Sequence, residues 1–209
     1  MLTVHHLRLS QSERIVWLCE ELELNYELKL YDRRSDNGAA PDEYKALHPN
    51  GTSPIVTDGD LALAESGAIV NYISGKHASW RRTPGPDDKS FAQHQYWFNF
   101  ANGSFVANFM MDFAAREAGG TAPEFVHDRA QRAWQQIEDQ LAETPFFGGA
   151  NLTTADIMMV FPLTTMRLFG TETLEDRPKT LAYLKRIGER PAYRRAMEKA
   201  EPGFEPNLA

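Results

Sequence analysis

The sequence has one cysteine, Cys19, and no long apolar run. A single cysteine excludes an internal disulfide and is typical of proteins kept in a reducing compartment. No stretch approaches the ~20 apolar residues that a membrane-spanning helix requires. The first residues also lack the charged and apolar blocks of a secretory signal peptide. We therefore expect a cytoplasmic protein that does not insert into a membrane.

Basic residues are scarce relative to acidic ones. The chain has 22 Lys and Arg against 29 Asp and Glu, and its formal charge is −7. An acidic protein repels nucleic acid, so we expect no nucleic-acid partner. The six histidines show no metal-ligand spacing, and the sequence contains no phosphate-binding loop, dinucleotide fingerprint or Gly-x-Ser-x-Gly elbow. We expect neither a metal nor a nucleotide cofactor.

The 209 residues are enough for one large domain or two small ones. Alternation and helical periodicity over residues 1–80 predict the order β-α-β, a short helix, and then β-β-α. Residues 81–88 contain two prolines and a glycine, which predict a linker. From 89 to 209 the pattern is helical, with helices expected near 89–116, 123–143, 154–169, 178–189 and 191–200. The predicted fold class is an α/β domain followed by an all-α domain.

The most informative motif is Pro54 at the start of a predicted hairpin, followed by Glu65 and Ser66. Proline lacks an N–H, so it belongs at the first residue of a strand, often after a cis peptide bond. The pattern of residues 57–63 predicts one strand, an Asp-Gly turn and a second strand. Glu65 and Ser66 then begin a helix, whose free N–H groups can bind an anion.

This arrangement resembles the glutathione site of the glutathione transferases, and the resemblance covers nearly the whole chain. It implies a thioredoxin-like domain with a mixed four-stranded sheet over 1–80, and a helical domain over 89–209 that contributes the second-substrate pocket. It also implies a cytoplasmic, homodimeric, bacterial-type enzyme with a serine-type active site and glutathione as co-substrate. In such a detoxification enzyme the glutathione thiolate attacks a small electrophilic, mostly apolar molecule.

Ser10 is the candidate catalytic residue, and Ser12 is the alternative. Ser10 follows a predicted strand and lies four residues before Arg14, like the catalytic serine of the serine-type transferases. The resemblance implies that its hydroxyl donates a hydrogen bond to the glutathione sulfur. The structural alternative is a capping box, in which Ser10 and Glu13 cap the helix that follows.

The resemblance also implies a role for each residue of the Pro54 motif. Ser53, before a cis Pro54, would pair its backbone with the cysteinyl unit of glutathione. Ser66 and the helix N–H groups would bind the γ-glutamyl carboxylate, and Glu65 would bind the γ-glutamyl ammonium group.

Recognition of the glycyl end departs from the family pattern. Many bacterial-type relatives contact the glycyl carboxylate with a lysine where this chain has Thr52. Other classes carry Arg or Gln after the Glu-Ser pair, where this chain has Gly67. That leaves Lys45 or His48 as a substitute for the missing cation, although a solvent-exposed position suits both residues equally well.

Two further candidate sites lie in the helical part. Asn102 and Phe105 belong to an aromatic-rich helix and are expected to face the second-substrate pocket. Thr153 and Asp156 resemble the capping motif that begins a buried helix in this family, and we expect their role to be structural.

Two other functions use the same features. Glutathione-dependent reduction of disulfides or peroxides would use the same site, with the sulfur attacking sulfur or oxygen instead of carbon. A non-catalytic interaction module is the other alternative.

Cys19 lies on the apolar face of its helix and is expected to be a buried structural thiol.

Overall fold

The structure, a computed structural model, describes residues 1–209 and divides into two compact units. The first unit contains Met1–Thr83 and Gly188–Pro206. The second unit contains Pro84–Ile187 and Asn207–Ala209.

The first unit is built on a four-stranded mixed sheet. Its elements are β1 (Leu2–Leu7), α1 (Glu13–Glu21), β2 (Glu27–Tyr31), α2 (Asp42–Lys45), β3 (Ile55–Asp58), β4 (Leu61–Ala64) and α3 (Ser66–Ala78). The strand order is β2-β1-β3-β4, in which β1 is parallel to β2 and antiparallel to β3, and β3 pairs with β4 as a hairpin. Every residue of β1 is buried, as expected for the inner strand of a sheet covered on both faces. The predicted thioredoxin-like order and mixed sheet are confirmed.

The second unit is helical, which confirms the predicted fold class. Its elements are α4 (Phe91–Phe100), a π-helical segment (Ala101–Val106), α5 (Ala107–Glu117), α6 (Glu124–Glu143), α7 (Thr154–Leu163), a 3₁₀ helix (Thr165–Phe169) and all but the last residue of α8 (Pro178–Gly188). None of the protein's helices combines the length and the apolar character needed to cross a membrane.

Two helices predicted to be continuous are interrupted. The helix predicted over 89–116 contains the π-helical segment, a one-turn widening that periodicity alone does not indicate. The helix predicted over 154–169 ends at Leu163, directly after Pro162, which has no N–H to bond to the carbonyl of Met158. The chain then continues as the 3₁₀ helix.

The last helix, α9 (Pro191–Ala200), packs against α1. The Trp17 and Tyr193 rings meet edge to face, with centroids 5.3 Å apart. Arg190 donates two hydrogen bonds to the buried Glu21 carboxylate, at 2.6 and 2.8 Å. These contacts bury the polar face of α1 as well as its apolar face.

This packing changes the division of the chain. The prediction assigns everything from 89 to 209 to the helical domain, but Gly188–Pro206 belongs to the first unit. The physical reason is that the acidic residues of α1 form ion pairs with basic residues of this segment. Residues 81–88 contain no helix or strand.

Asp156 connects three segments of the second unit. One oxygen of its carboxylate accepts from Thr153 N at 2.8 Å, and the other accepts from Phe147 N at 2.9 Å and from the Tyr183 hydroxyl at 3.2 Å. Thr153 Oγ1 accepts from Ala155 N, so the capping box expected at this helix start is present. Burial raises the pKa of Asp156 to about 6, although these hydrogen bonds oppose the rise.

Replacing Asp156 with asparagine is expected to lower the free energy of unfolding by about 1–3 kcal/mol, measured by urea denaturation. A backbone N–H group donates to each of the two carboxylate oxygens. An asparagine has only one side-chain oxygen, so its NH₂ group would face one of these backbone N–H groups and lose that hydrogen bond. Asp139→Asn is the matched control, because Asp139 lies on the exposed face of α6 and pairs with Gln135. Equal stability of the two variants would contradict this role of Asp156.

Candidate functional site

The Ser10 hydroxyl is at the centre of a polar cluster in the loop between β1 and α1. Ser10 Oγ lies 2.6 Å from Leu7 O, 2.9 Å from Ser12 Oγ and 2.6 Å from Ser53 Oγ. The Ser10 residue is 6% exposed. The structure thus brings both candidate serines into contact and joins them to the residue before Pro54.

The capping box predicted for Ser10 and Glu13 does not form, so that interpretation is wrong. Helix α1 begins at Glu13 with Ser12 as its N-cap residue, and no side chain caps the helix. Ser12 Oγ instead accepts from Leu7 N at 3.1 Å and lies 2.8 Å from His6 Nδ1. The two serine hydroxyls therefore face β1 and Ser53.

Ser53 and Pro54 directly precede β3. The peptide bond between them is cis, as predicted from the proline before a strand. Pro54 is buried, and Ser53 forms no backbone–backbone hydrogen bond outside the strand ladders. The Ser53 backbone can therefore pair with an extended peptide, which is the recognition mode expected for the cysteinyl unit.

Glu65 and Ser66 lie at the start of α3. Glu65 is the N-cap residue with a φ of 71°, and Ser66 is the first helical residue and is 1% exposed. A left-handed backbone is uncommon for glutamate, and such conformations cluster at ligand sites. Asn50 Nδ2 donates to Glu65 Oε1 at 3.4 Å, and Ser66 Oγ donates to Gln11 Oε1 at the same distance. Because Gln11 follows Ser10, this pair lies next to the serine cluster.

The residues expected at the glycyl end lie at the last residue of α2 and in the loop that follows it. Thr52 is exposed, and the stem of Lys45 lies against Gly51, where an added Cβ would be 3.7 Å from Lys45 Cβ. Lys45 Nζ is 3.6 Å from Asp42, and both side chains are exposed. His48 Nδ1 accepts a backbone N–H of the same loop at 3.1 Å. Exposed ion pairs are weak, so Lys45 can exchange Asp42 for another carboxylate.

Two residues that the sequence analysis did not identify hold the Ser10 loop. Arg33 donates to Arg8 O at 2.9 Å, to Leu9 O at 3.1 Å and to Gly38 O at 3.0 Å. Glu201, which follows α9, accepts from Leu9 N and from Arg8 Nε. Leu9 has a φ of 51°, which is uncommon for a residue other than glycine. Glu201 holds the N–H of Leu9 and Arg33 holds its C=O, so both sides of this backbone conformation are fixed.

His6 connects the serine cluster to Glu201. His6 Nε2 lies 2.9 Å from Glu201 Oε1, and both side chains are completely buried. Burial raises the pKa of Glu201, but hydrogen bonds from His6, Leu9 N and Arg8 outweigh it and lower the pKa below its usual range. No local sequence pattern indicates this pair, because the two residues are 195 positions apart. The spacing of histidines in the sequence predicts metal sites, and it says nothing about a single histidine that pairs with a distant carboxylate.

The second unit contains a cavity of about 310 Å³. Most of its wall is apolar and includes Phe105, Phe109, Val126, Trp134, Pro162 and Met166. The charged residues around it are Asp112, Arg116, Arg167 and Glu172, with His127 beside them. Of the two residues expected at a second-substrate pocket, Phe105 lines this cavity and Asn102 does not.

Cys19 is completely buried in α1, as predicted. Burial raises the pKa of its thiol, so Cys19 stays protonated and is a poor nucleophile. No group of three or more His, Cys, Asp or Glu side chains is arranged to hold a metal ion.

Known proteins share this architecture. Residues 1–75 match the family model of the glutathione S-transferase N-terminal domain, and residues 102–198 match that of the C-terminal domain. A crystal structure of a glutathione S-transferase from Actinobacillus pleuropneumoniae is 34% identical, with a TM-score of 0.86, and the match covers 100% of this chain and 99% of that one. The chain belongs to the glutathione S-transferase family.

Relatives of this protein are named for different activities. Glutathione S-transferase 3 of Schizosaccharomyces pombe is 29% identical, over 96% of this chain and 88% of the relative. Disulfide-bond oxidoreductase YfcG of Escherichia coli is 26% identical, over 98% of this chain and 98% of the relative. The names of its relatives therefore include both transferase and disulfide chemistry.

Arg33→Lys is expected to lower the free energy of unfolding by about 1–2 kcal/mol, because a lysine cannot keep three hydrogen bonds in the geometry of a planar guanidinium. The neighbouring Arg34→Lys is the matched control, since Arg34 is exposed and pairs only with Asp36. Thermal and urea denaturation measure both variants. If Arg33→Lys is as stable as the control, Arg33 does not anchor the Ser10 loop.

Proposed function

We propose that this protein is a glutathione transferase in which Ser10 stabilises the glutathione thiolate. The observation that carries the proposal is the 2.6 Å contact between the hydroxyls of Ser10 and Ser53. Ser53 precedes the cis Pro54 and is expected to bind the cysteinyl backbone. A hydroxyl donor next to that position can reach the cysteinyl sulfur.

Stabilising the thiolate is energetically feasible at this site. A free thiol has a pKa of about 8.5, so little thiolate exists at neutral pH. Lowering that pKa by ~2 units requires roughly 2.7 kcal/mol of preference for the anion. Hydrogen bonds to a charged group contribute about 1.5–3 kcal/mol each. One donor hydroxyl in a buried position, such as that of Ser10, supplies most of this preference.

The other parts of glutathione have partners in the same unit. The Ser66 hydroxyl and the N–H groups at the start of α3 would bind the γ-glutamyl carboxylate, and Glu65 would bind its ammonium group. Thr52 and Lys45 would bind the glycyl end. The positive φ of Glu65 supports this assignment, because it turns the chain into the helix at the expected ligand position.

The second substrate is proposed to be a small, mostly apolar electrophile. The cavity in the second unit supports this, because its volume of about 310 Å³ lies at the small end of the usual range of ligand sites and its wall is largely apolar. Phe105 would contact this substrate, and Asn102 is proposed as a second contact. The thiolate attacks the electrophilic carbon of this substrate.

A cytoplasmic homodimer with a detoxifying role is part of the same proposal. Several large apolar side chains of the second unit are exposed, among them Tyr96, Met110 and Phe125. A contiguous patch of such side chains would favour association with another protein surface.

Disulfide reduction is the second candidate function, favoured by the similarity to the oxidoreductase YfcG. Because Cys19 is buried and protonated, such a reaction would use the glutathione sulfur alone. Reduction of a small disulfide at a higher kcat/KM than conjugation to chlorodinitrobenzene would favour this function.

Ser10→Ala is expected to return the pKa of bound glutathione toward that of the free thiol. Turnover at neutral pH should fall about tenfold per unit of that shift. The ultraviolet absorbance of the thiolate, titrated in the complex, measures the pKa. Ser74→Ala is the control, since Ser74 is buried in α3 of the same unit and its hydroxyl has no hydrogen-bond partner. An unchanged thiol pKa in Ser10→Ala would leave Ser10 with a structural role.

Glu65→Ala and Ser66→Ala should each weaken glutathione binding by about 1–3 kcal/mol, because each removes a charge-assisted hydrogen bond. Isothermal calorimetry measures the binding free energy, and the exposed Glu143→Ala of α6 is the control. Parent-like binding by both variants would exclude the γ-glutamyl assignment. A parent protein that does not bind glutathione would instead support the non-catalytic interaction module.

A further inference from the structure

A buried chain of hydrogen bonds leads inward from Ser10. Ser10 Oγ is 2.9 Å from Ser12 Oγ, and Ser12 Oγ is 2.8 Å from His6 Nδ1. His6 Nε2 is 2.9 Å from Glu201 Oε1. All four residues are buried, so water does not compete for these contacts.

The protonation of this chain follows from its buried end. The Glu201 carboxylate can only accept hydrogen bonds, so His6 carries a proton on Nε2. In the neutral imidazole, Nδ1 is then an acceptor, and the Ser12 hydroxyl donates to it. Ser12 Oγ accepts from Leu7 N and is open to a hydrogen bond from Ser10.

With neutral His6, the Ser12 hydroxyl points inward to Nδ1, and the Ser10 hydroxyl has two inner acceptors, Leu7 O at 2.6 Å and Ser12 Oγ at 2.9 Å. A proton added to His6 Nδ1 would reverse the chain, since Nδ1–H would then donate to Ser12 and Ser12 to Ser10. Ser12 would then no longer accept from Ser10, and a ligand thiolate would compete only with the neutral oxygens of Leu7 and Ser53 for the Ser10 proton. An imidazole suits this role because its Nδ1 accepts a hydrogen bond in the neutral form and donates one in the protonated form.

We propose, on the basis of the transferase function proposed above, that Ser10, Ser12 and His6 relay the glutathione thiol proton to His6 Nδ1. Ser10 takes the thiol proton as it passes its own to Ser12, and Ser12 passes its proton to His6. The S–H bond breaks and its electron pair stays on sulfur, while an N–H bond forms on His6. One proton moves, and no other reactant is needed.

Glu201 is the positioning residue of this relay. Its carboxylate stabilises the imidazolium that the relay creates, as an acidic residue does for the histidine of a serine hydrolase. The other charged groups at this end are Arg8, whose Nε is 3.0 Å from Glu201, and Arg33, which binds the carbonyls of Arg8 and Leu9. After the transfer all hydroxyls donate outward, so the network that removes the proton also stabilises the thiolate.

The test counts the protons released when glutathione binds. Calorimetry in buffers of different ionisation enthalpy gives the number released, and ultraviolet absorbance gives the thiolate formed. S-methylglutathione, which has no thiol proton, corrects for the other groups of the ligand. The parent protein is expected to form thiolate while releasing far less than one proton per thiolate.

Glu201→Gln and Ser12→Ala should each release close to one proton per thiolate formed. Their bound thiol should also have a pKa at least about one unit higher, which lowers kcat about tenfold at neutral pH. KM for glutathione should stay within about twofold, since neither residue is proposed to contact the ligand. Ser12→Thr keeps a hydroxyl and should restore the parent proton count.

Glu21→Gln is the matched control. Glu21 is another buried carboxylate that receives hydrogen bonds from the C-terminal segment, through Arg190. Its replacement should lower the melting temperature without changing the thiol pKa or the proton count.

Two results distinguish failure of the relay from failure of the proposed function. The relay is overturned if Ser10→Ala raises the thiol pKa while Glu201→Gln and Ser12→Ala change neither the pKa nor the proton count. In that case the proposed function stands. If the parent protein forms no thiolate with glutathione, the proposed function fails and the relay fails with it.

Discussion

A serine hydroxyl has one proton, and the site depends on where the Ser10 proton is directed. Three oxygens lie within 2.9 Å of Ser10 Oγ, on Leu7, Ser12 and Ser53. A thiolate is a charged acceptor and competes well with neutral oxygens for that proton. In the proposed reaction, Ser10 therefore becomes a donor to sulfur without a rearrangement of the backbone. The proposed reaction then requires only a change in the direction of one O–H bond, and in the proposed relay Ser12 and His6 control that direction.

The loop that carries Ser10 is held from two directions. Arg33 binds its carbonyl groups, and Glu201 binds the N–H of Leu9. Glu201 comes from the C-terminal segment that packs on α1, so the last residues of the first unit help to shape a site formed near its beginning. The segment Gly188–Pro206 is helical but belongs to the unit that contains the sheet. It contributes the buried Glu201 carboxylate to this unit as well as a packing surface for α1. Active sites supported in this way keep uncommon backbone conformations such as that of Leu9.

The sequence predicted features that leave a local pattern. Pro54 before a hairpin indicated the cis bond, and alternation and periodicity indicated the order of strands and helices in the first unit. Features that depend on distant residues left no such pattern. The capping box assigned to Ser10 and Glu13 had the correct spacing, but the hydroxyl has nearer partners on β1 and at Ser53. The contact between His6 and Glu201 joins positions 195 apart, and only folding brings them together.

The central claim is that the first unit binds glutathione and ionises its thiol beside Ser10. The most direct measurement is an ultraviolet titration of glutathione bound to the unmodified protein. The expected thiolate signal has a midpoint at least about one pH unit below that of free glutathione, which corresponds to at least about 1.4 kcal/mol of preference for the anion. A midpoint equal to that of the free thiol, or the absence of binding, would contradict it.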